Sequence, residues 1–133
     1  MNHLFVPYEI ALQLKEKGFD EFCIGLFNEE GLQYDGEIYS FPFHNSLTKE
    51  GAVDPSIVAA PLYQQVIDWF REKHNIDILL EITYGSHISK NSGDWFYFTV
   101  YNSKNKKAKR FFEGNFDKYK ALNNAIEGAL KLI

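Results

Sequence analysis

The histidines and the single cysteine are the residues best able to do chemistry in this chain of 133 residues. No histidine stands three or four positions from another, so no pair has the spacing that puts two metal ligands on one helical face. Cys23 lies in an apolar run where nothing would stabilise a thiolate, and it is expected to be buried and unreactive. We therefore expect no metal site and no catalytic cysteine. The four histidines are His3, His44, His74 and His87.

Motifs for nucleotide binding and for nucleophilic catalysis are absent from the sequence. It contains no G-x-x-x-x-G-K-[ST] loop, no G-x-G-x-x-G fingerprint and no G-x-S-x-G elbow. An enzymatic site would have to be assembled by the long segment 44–60 with His44 or His87, and only the length of that segment favours it. We therefore predict a protein that is not an enzyme and that has no cofactor and no small-molecule ligand. The small enzyme remains the third alternative.

A cluster of basic residues in the last third of the chain could bind an acidic partner. Residues 103–120 contain seven basic and two acidic residues, a local charge of +5, whereas the whole chain carries −4. The cluster follows an aromatic strand, and lysines beside exposed rings are the ingredients of single-strand nucleic-acid binding. The favoured alternative is a hairpin tip whose lysines prevent edge-to-edge pairing. The candidate nucleic-acid-binding residues are Lys104, Lys106, Lys107, Lys109 and Arg110.

The aromatic content is the most unusual feature of the composition. Phe, Tyr and Trp make up 17% of the residues, more rings than the core of so small a domain is expected to hold. In the strand 95–102, one face carries Phe96, Phe98 and Val100. If helices cover that face, the other forms an exposed aromatic patch, which usually marks a partner surface, often for a second copy. Alternatively, the segment 44–60 folds over these rings. The predicted partner-binding residues are Trp95, Tyr97 and Tyr101.

Three helices are predicted from apolar spacing and from end signals. Pro7 and Gly18 mark the start and the end of the first helix. The second is predicted over about 61–74 with Asn75 as its stop, and the third over about 116–132. The predicted core stripe of the third helix consists of Tyr119, Leu122, Ile126, Leu130 and Ile133.

Five strands are predicted between these helices, in the order α-β-β-α-β-β-β-α. The order indicates a single α+β domain over 1–133, built as two layers with three helices on one antiparallel sheet of four or five strands. The segment 44–60 is predicted to be an irregular loop. The predicted strands are 22–27, 32–43 with a hairpin break at 35–36, 76–84, 95–102 and a short strand ending at Phe112.

Two helical segments resemble those of a family of small phage- and prophage-associated proteins. They are the opening segment VPYEIALQLKEKGFDE at 6–21 and the segment PLYQQVIDWFREKH at 61–74. A tyrosine-rich strand and the last helix, 121–133, are also similar, so the resemblance covers most of the chain except 44–60. It implies a phage or mobile-element origin, a location in the host cytosol and a core position for Trp69. It brings no activity to any residue.

The ends of the chain and its hydropathy predict a cytoplasmic location. The first residues lack the charged and apolar regions of a signal peptide, and no apolar tract is long enough to span a membrane. The sequence therefore predicts a cytoplasmic protein that binds another protein or a second copy of itself. Nucleic acid is the alternative partner, and no membrane contact is expected.

Overall fold

An α+β fold is formed by the residues that the computed structural model describes, which are 2–34, 56–83, 95–112 and 117–133. The chain divides into two compact units, Met1–Trp69 and Phe70–Ile133, and the division falls inside the second α-helix. The helices are a short 3-10 helix (Asn2–Leu4), α1 (Tyr8–Glu16), α2 (Tyr63–His74) and α3 (Lys118–Leu130). The strands are β1 (Gly25–Asn28), β2 (Gly31–Tyr34), β3 (Val58–Ala60), β4 (Ile76–Thr83), β5 (Trp95–Asn102) and β6 (Lys107–Phe112).

The described strands form two antiparallel sheets of three strands, whereas the sequence predicts one sheet of four or five. The first sheet has the order β2-β1-β3 and the second β4-β5-β6. No described strand pairs across the two sheets, and the segment 58–60, which is predicted as loop, supplies the third strand of the first sheet by pairing with β1. All three of its residues are buried, so the segment lacks the polar–apolar alternation by which a strand is recognised. The predicted hairpin break at 35–36 and the loop residues 44–55 lie outside the described residues.

The end of α1 confirms the prediction made from Gly18. This glycine has φ 84°, a left-handed conformation that favours glycine. Its N–H donates to the carbonyl of Lys15 at 3.1 Å, and the N–H of Phe19 donates to the carbonyl of Leu14 at 3.0 Å. These bonds form a Schellman motif, which brings the buried Phe19 against the end of the helix. The ring of Trp69 then meets the Phe19 ring edge-on, with centroids 5.3 Å apart.

Local signals also define both ends of α2. At its start, Gln65 accepts the backbone N–H of Leu62 at 2.9 Å and donates through its amide nitrogen to the carbonyl of Phe22 at 2.6 Å. At its end, Asn75 takes φ 57°, a left-handed conformation that asparagine tolerates better than most residues. The helix therefore stops where the sequence predicts.

In the second unit, α3 packs on one face of the sheet β4-β5-β6. Asp117 caps the helix by accepting the N–H groups of Tyr119 and Lys120 at 3.0 and 3.2 Å. The buried stripe is rotated from the predicted one, because three alanines lie inside it and Tyr119 and Ile133 are only half-buried. Small side chains let the helix approach the sheet closely. The buried residues are Ala121, Leu122, Ala125, Ile126, Ala129 and Leu130.

No helix in the described ranges combines the length and the apolar character that crossing a bilayer requires.

Candidate functional site

The second sheet presents two faces with different side chains. Residues directly opposite one another in an antiparallel pair lie on the same face, so Leu79, Thr99 and Arg110 share a face because each pairs with the next. Phe98 and Val100 alternate with them and are 3% exposed, on the side that α3 covers. We call that side the helix side and the opposite side the outer face. The described side chains of the outer face are Asp77, Leu79, Glu81, Tyr97, Thr99, Tyr101, Ala108 and Arg110.

Two of the three residues predicted to bind a partner lie together on the outer face. Tyr97 and Tyr101 are both half-buried, and they flank Thr99 along β5. Trp95 is the first residue of β5 and pairs with Thr83. The side chain of Trp95 lies outside what the structure describes, as does most of the segment 44–60 that could cover these rings.

Two carboxylates of the outer face stand on β4, and each has a partner. Asp77 accepts a hydrogen bond from the guanidinium of Arg71 at 2.6 Å, in a pair that is largely exposed to solvent. Such exposed ion pairs contribute little to stability. Glu81 accepts the hydroxyl of Thr99, also at 2.6 Å. This hydrogen bond comes from a neutral hydroxyl, and among the described residues no basic side chain is paired with Glu81.

The positive charge of the outer face lies across the sheet, on β6. Arg110 is exposed, and its guanidinium stands 5.3 Å from the centroid of the Tyr97 ring, a cation–π contact. Leu79, on β4, is 46% exposed. The outer face thus has an acidic edge on β4, an aromatic centre on β5 and a basic edge on β6.

The five basic residues predicted to bind nucleic acid are distributed over different parts of the hairpin. Lys104 and Lys106 lie in the turn, whereas Lys107 and Lys109 point to the helix side because they pair with Asn102 and Val100. Arg110 shares the outer face with the tyrosines. Single-strand binding needs rings and cations on one surface. Of the five predicted residues, Arg110 is the one that contacts a tyrosine ring of the outer face, that of Tyr97.

Asparagine side chains fix the shape of the basic turn. The side-chain oxygen of Asn102 accepts the N–H of Lys104, and that of Asn105 accepts the N–H of Lys107, each at 3.0 Å. These are Asx turns, in which a side chain imitates a backbone turn. Lys106 completes the reversal with φ 56°. The spacing of the asparagines in the sequence was a signal for this turn.

Sequence reasoning missed a cleft on the helix side of the sheet. It has a volume of about 550 Å³ and lies between the β5–β6 hairpin and the C-terminal half of α3. We call it the helix-side cleft. The cleft forms where α3 approaches the β5–β6 hairpin, and this contact joins residues that are distant in the sequence. The local signal in the sequence is therefore limited to the alternation of Lys107 and Lys109 along β6. The residues that line it include Val100, Lys107, Lys109, Phe111, Glu127 and Lys131.

The histidines do not form a site in the described part of the chain. His3 is exposed, and burial lowers the pKa of His74, with a smaller contribution from the positive charge of Lys104. His44 and His87, the candidates for an enzymatic site, lie outside the described residues. No group of three His, Cys, Asp or Glu side chains is close enough to hold a metal ion within the ranges that are described.

Cys23 is a free, fully buried cysteine, as predicted. Burial, together with a smaller contribution from the charge of Glu21, raises the pKa of its thiol to about 12. Because the thiolate is the reactive species, we expect a thiol reagent such as DTNB to modify the native chain at least about a hundredfold more slowly than the urea-unfolded chain. The absorbance of the thionitrobenzoate that DTNB releases measures both rates, because the chain contains this one cysteine. Equal rates in the two states would show that the thiol is accessible.

Comparisons of the whole chain with protein families, with curated proteins and with solved structures found no match.

Proposed function

We propose that the chain is a non-enzymatic binding protein that associates with a second copy of itself through the outer face. The observation that carries this proposal is the separation of charge across that face. Glu81 stands at one edge, Arg110 at the other, and the half-buried Tyr97 and Tyr101 lie between them. Aromatic residues and arginine are the side chains most enriched at protein interfaces.

The charge arrangement is complementary to itself under one kind of twofold symmetry. A twofold axis along β5 turns a second sheet over so that β4 of each copy faces β6 of the other. Glu81 of each copy then approaches Arg110 of the other, and Tyr97 lies near the axis. A twofold axis across the strands would instead place β4 on β4 and oppose the carboxylates. The charges therefore favour the axis along β5.

The size of the outer face indicates a weak dimer. Three strands about 4.8 Å apart, over five residues of about 3.4 Å each, give a projected area on the order of 250 Å². A standard stable interface buries roughly 800 Å² on each partner. We therefore expect reversible association that depends on concentration.

We expect the weight-average mass to rise from monomer toward dimer between about 10 µM and about 1 mM, the range in which a small interface associates. Light scattering behind a sizing column, run at several concentrations, measures this. Tyr97→Ser removes a ring from the centre of the face and should weaken association. Tyr8→Ser is the matched control, because Tyr8 is an exposed tyrosine of the first unit.

A charge exchange tests the geometry of the dimer. Arg110→Glu and Glu81→Arg each place like charges together at both symmetric contacts, so each should weaken association about tenfold or more. The double variant restores opposite charges and should recover most of the affinity. Thermal unfolding of every variant checks that the fold is retained. Single variants that associate as the wild type does, or a double variant without recovery, would contradict the proposed dimer.

Other partners are alternative outcomes of the same measurements. The wild-type chain could be strictly monomeric and capture another protein that the Tyr97→Ser variant no longer captures. That result would mean that the outer face binds this other protein instead of a second copy. Binding of a single-stranded oligonucleotide that weakens steeply with salt would favour the nucleic-acid alternative.

The resemblance to phage- and prophage-associated proteins supports a phage origin and a cytoplasmic location as parts of this proposal. Fractionation of cells expressing the chain tests the location.

A further inference from the structure

We propose that the helix-side cleft binds a small organic anion, a molecule with a flat apolar body and a carboxylate or phosphate group. Its volume of about 550 Å³ lies within the range of small-molecule sites. The cleft is on the side of the sheet opposite to the outer face, so the two sites can be tested separately. This proposal does not depend on self-association.

The floor of the cleft is apolar and is held in place by packing. Val100 is buried in it, and the ring of Phe111 lies against α3 at Gly128. A Cβ atom at Gly128 would stand 2.2 Å from a carbon of that ring, so the close approach requires glycine. The ring, with Leu132 beside it, supplies an apolar surface for the body of a ligand.

The rim of the cleft is positively charged. Lys107 and Lys109 extend from β6, and Lys131 follows the last turn of α3. Glu127 is the single carboxylate among the described lining residues, which leaves a local charge of +2. The Lys109 ammonium already lies 5.2 Å from the centroid of the Phe111 ring, so one cation adjoins the apolar floor. A charged group and an apolar body can therefore be bound side by side.

Two amides add hydrogen-bond donors to the same cleft. Asn102 and Asn105 both line it, and their side-chain oxygens are occupied by the N–H groups of Lys104 and Lys107. The amide nitrogens are thus the groups that each side chain can offer, and within the described residues neither donates a hydrogen bond. Donors and cations together select a ligand that accepts hydrogen bonds and carries negative charge.

A matched set of probes tests this class of ligand. 2-Naphthoate, 2-naphthamide and 2-naphthylmethylamine share one ring body and differ in charge, and inorganic phosphate supplies charge without the body. We expect naphthoate to bind the full chain with a Kd of about 1 mM or tighter, as its size allows. The neutral amide should bind at least about fivefold more weakly, and the cation and phosphate more weakly still. Nitrogen–proton NMR titration measures each affinity and locates the shifted residues.

Variants of the lining residues separate a site from general charge attraction. Lys109→Gln and Lys131→Gln should each lower the affinity for naphthoate about threefold to fivefold. Glu127→Gln should raise it about threefold, a gain that a damaged fold cannot produce. Lys104→Gln is the matched control, because Lys104 lies on the same hairpin but does not line the cleft. Its affinity should equal that of the wild type.

Several results would overturn the proposal. If naphthamide bound as tightly as naphthoate, the cleft would not select an anion. If phosphate bound as tightly as naphthoate, the cleft would not select an apolar body. A loss in Lys104→Gln equal to that in Lys109→Gln, or no gain in Glu127→Gln, would show that the cleft does not form the site. An oligonucleotide that binds through the same lysines while naphthoate does not would assign them to nucleic acid instead.

Discussion

Replacing Trp69 with alanine is expected to lower the free energy of unfolding by about 3–5 kcal/mol. Trp69 is 3% exposed, and its ring packs edge-on against Phe19, which in turn closes the end of α1. Removal of the indole therefore leaves a cavity and also weakens the support of that helix end. Since domains of this kind are stable by roughly 5–15 kcal/mol, the loss would be a large fraction of the total. Urea unfolding followed by circular dichroism measures it.

Gln64→Ala is the matched control for this variant. Gln64 lies on the same helix, but it is exposed and its side chain donates to Asp68, one turn further along. Its substitution should change the free energy of unfolding by less than about 0.5 kcal/mol. If Trp69→Ala cost no more than Gln64→Ala, the packing of Trp69 against Phe19 would not be a major source of stability.

The helix ends were predictable from the sequence because they depend on residues within one turn. Gly18 and Asn75 are each placed where the backbone must take a positive φ, and the structure has both residues in that conformation. The extent of β5 was predictable for a related reason. From Phe96 to Tyr101, apolar side chains alternate with hydroxyl-bearing ones, and a period of two is typical of a half-covered strand.

The separate first sheet, β2-β1-β3, was hidden from sequence reasoning because it depends on contacts between distant residues. β3 is three residues long and buried throughout, and it pairs with β1, which lies more than 25 positions earlier. Neither its length nor its composition distinguishes it from a loop. The stripe of α3 was misplaced for a similar reason, since an alanine such as Ala125 gives a weak apolar signal although it lies fully inside the core.

The two candidate surfaces differ in how much of them the sequence contains. The alternation along β5 predicts that Tyr97 and Tyr101 share a face, and the structure has them together. The opposed charges of that face follow only from the register that aligns β4 with β6 through Thr99. The helix-side cleft requires still more, because Phe111 and Gly128 come together from a strand and a helix. No local pattern encodes that contact.

Replacing Gly128 with alanine is expected to destabilise the chain by about 1–3 kcal/mol, although the same change inside an ordinary helix stabilises by roughly 0.5–1 kcal/mol. A Cβ atom at this position would lie 2.2 Å from one carbon of the Phe111 ring and 2.7 Å from another. The ring must therefore move away from α3, and its strand or its rotamer must move with it. Thermal and urea unfolding measure the sign of the effect, which is the informative quantity.

A double variant identifies the cause. Phe111→Ala removes the ring and should cost stability by itself, but Gly128→Ala added to it no longer meets an obstacle. In that background the alanine should stabilise the helix, so the two substitutions should be coupled by about 1–3 kcal/mol in a double-mutant cycle. A stabilising effect of Gly128→Ala in the wild-type background would mean that the ring does not lie on the helix. The helix-side cleft would then lose its floor, so this cycle also tests the structural basis of the anion site before any ligand is added.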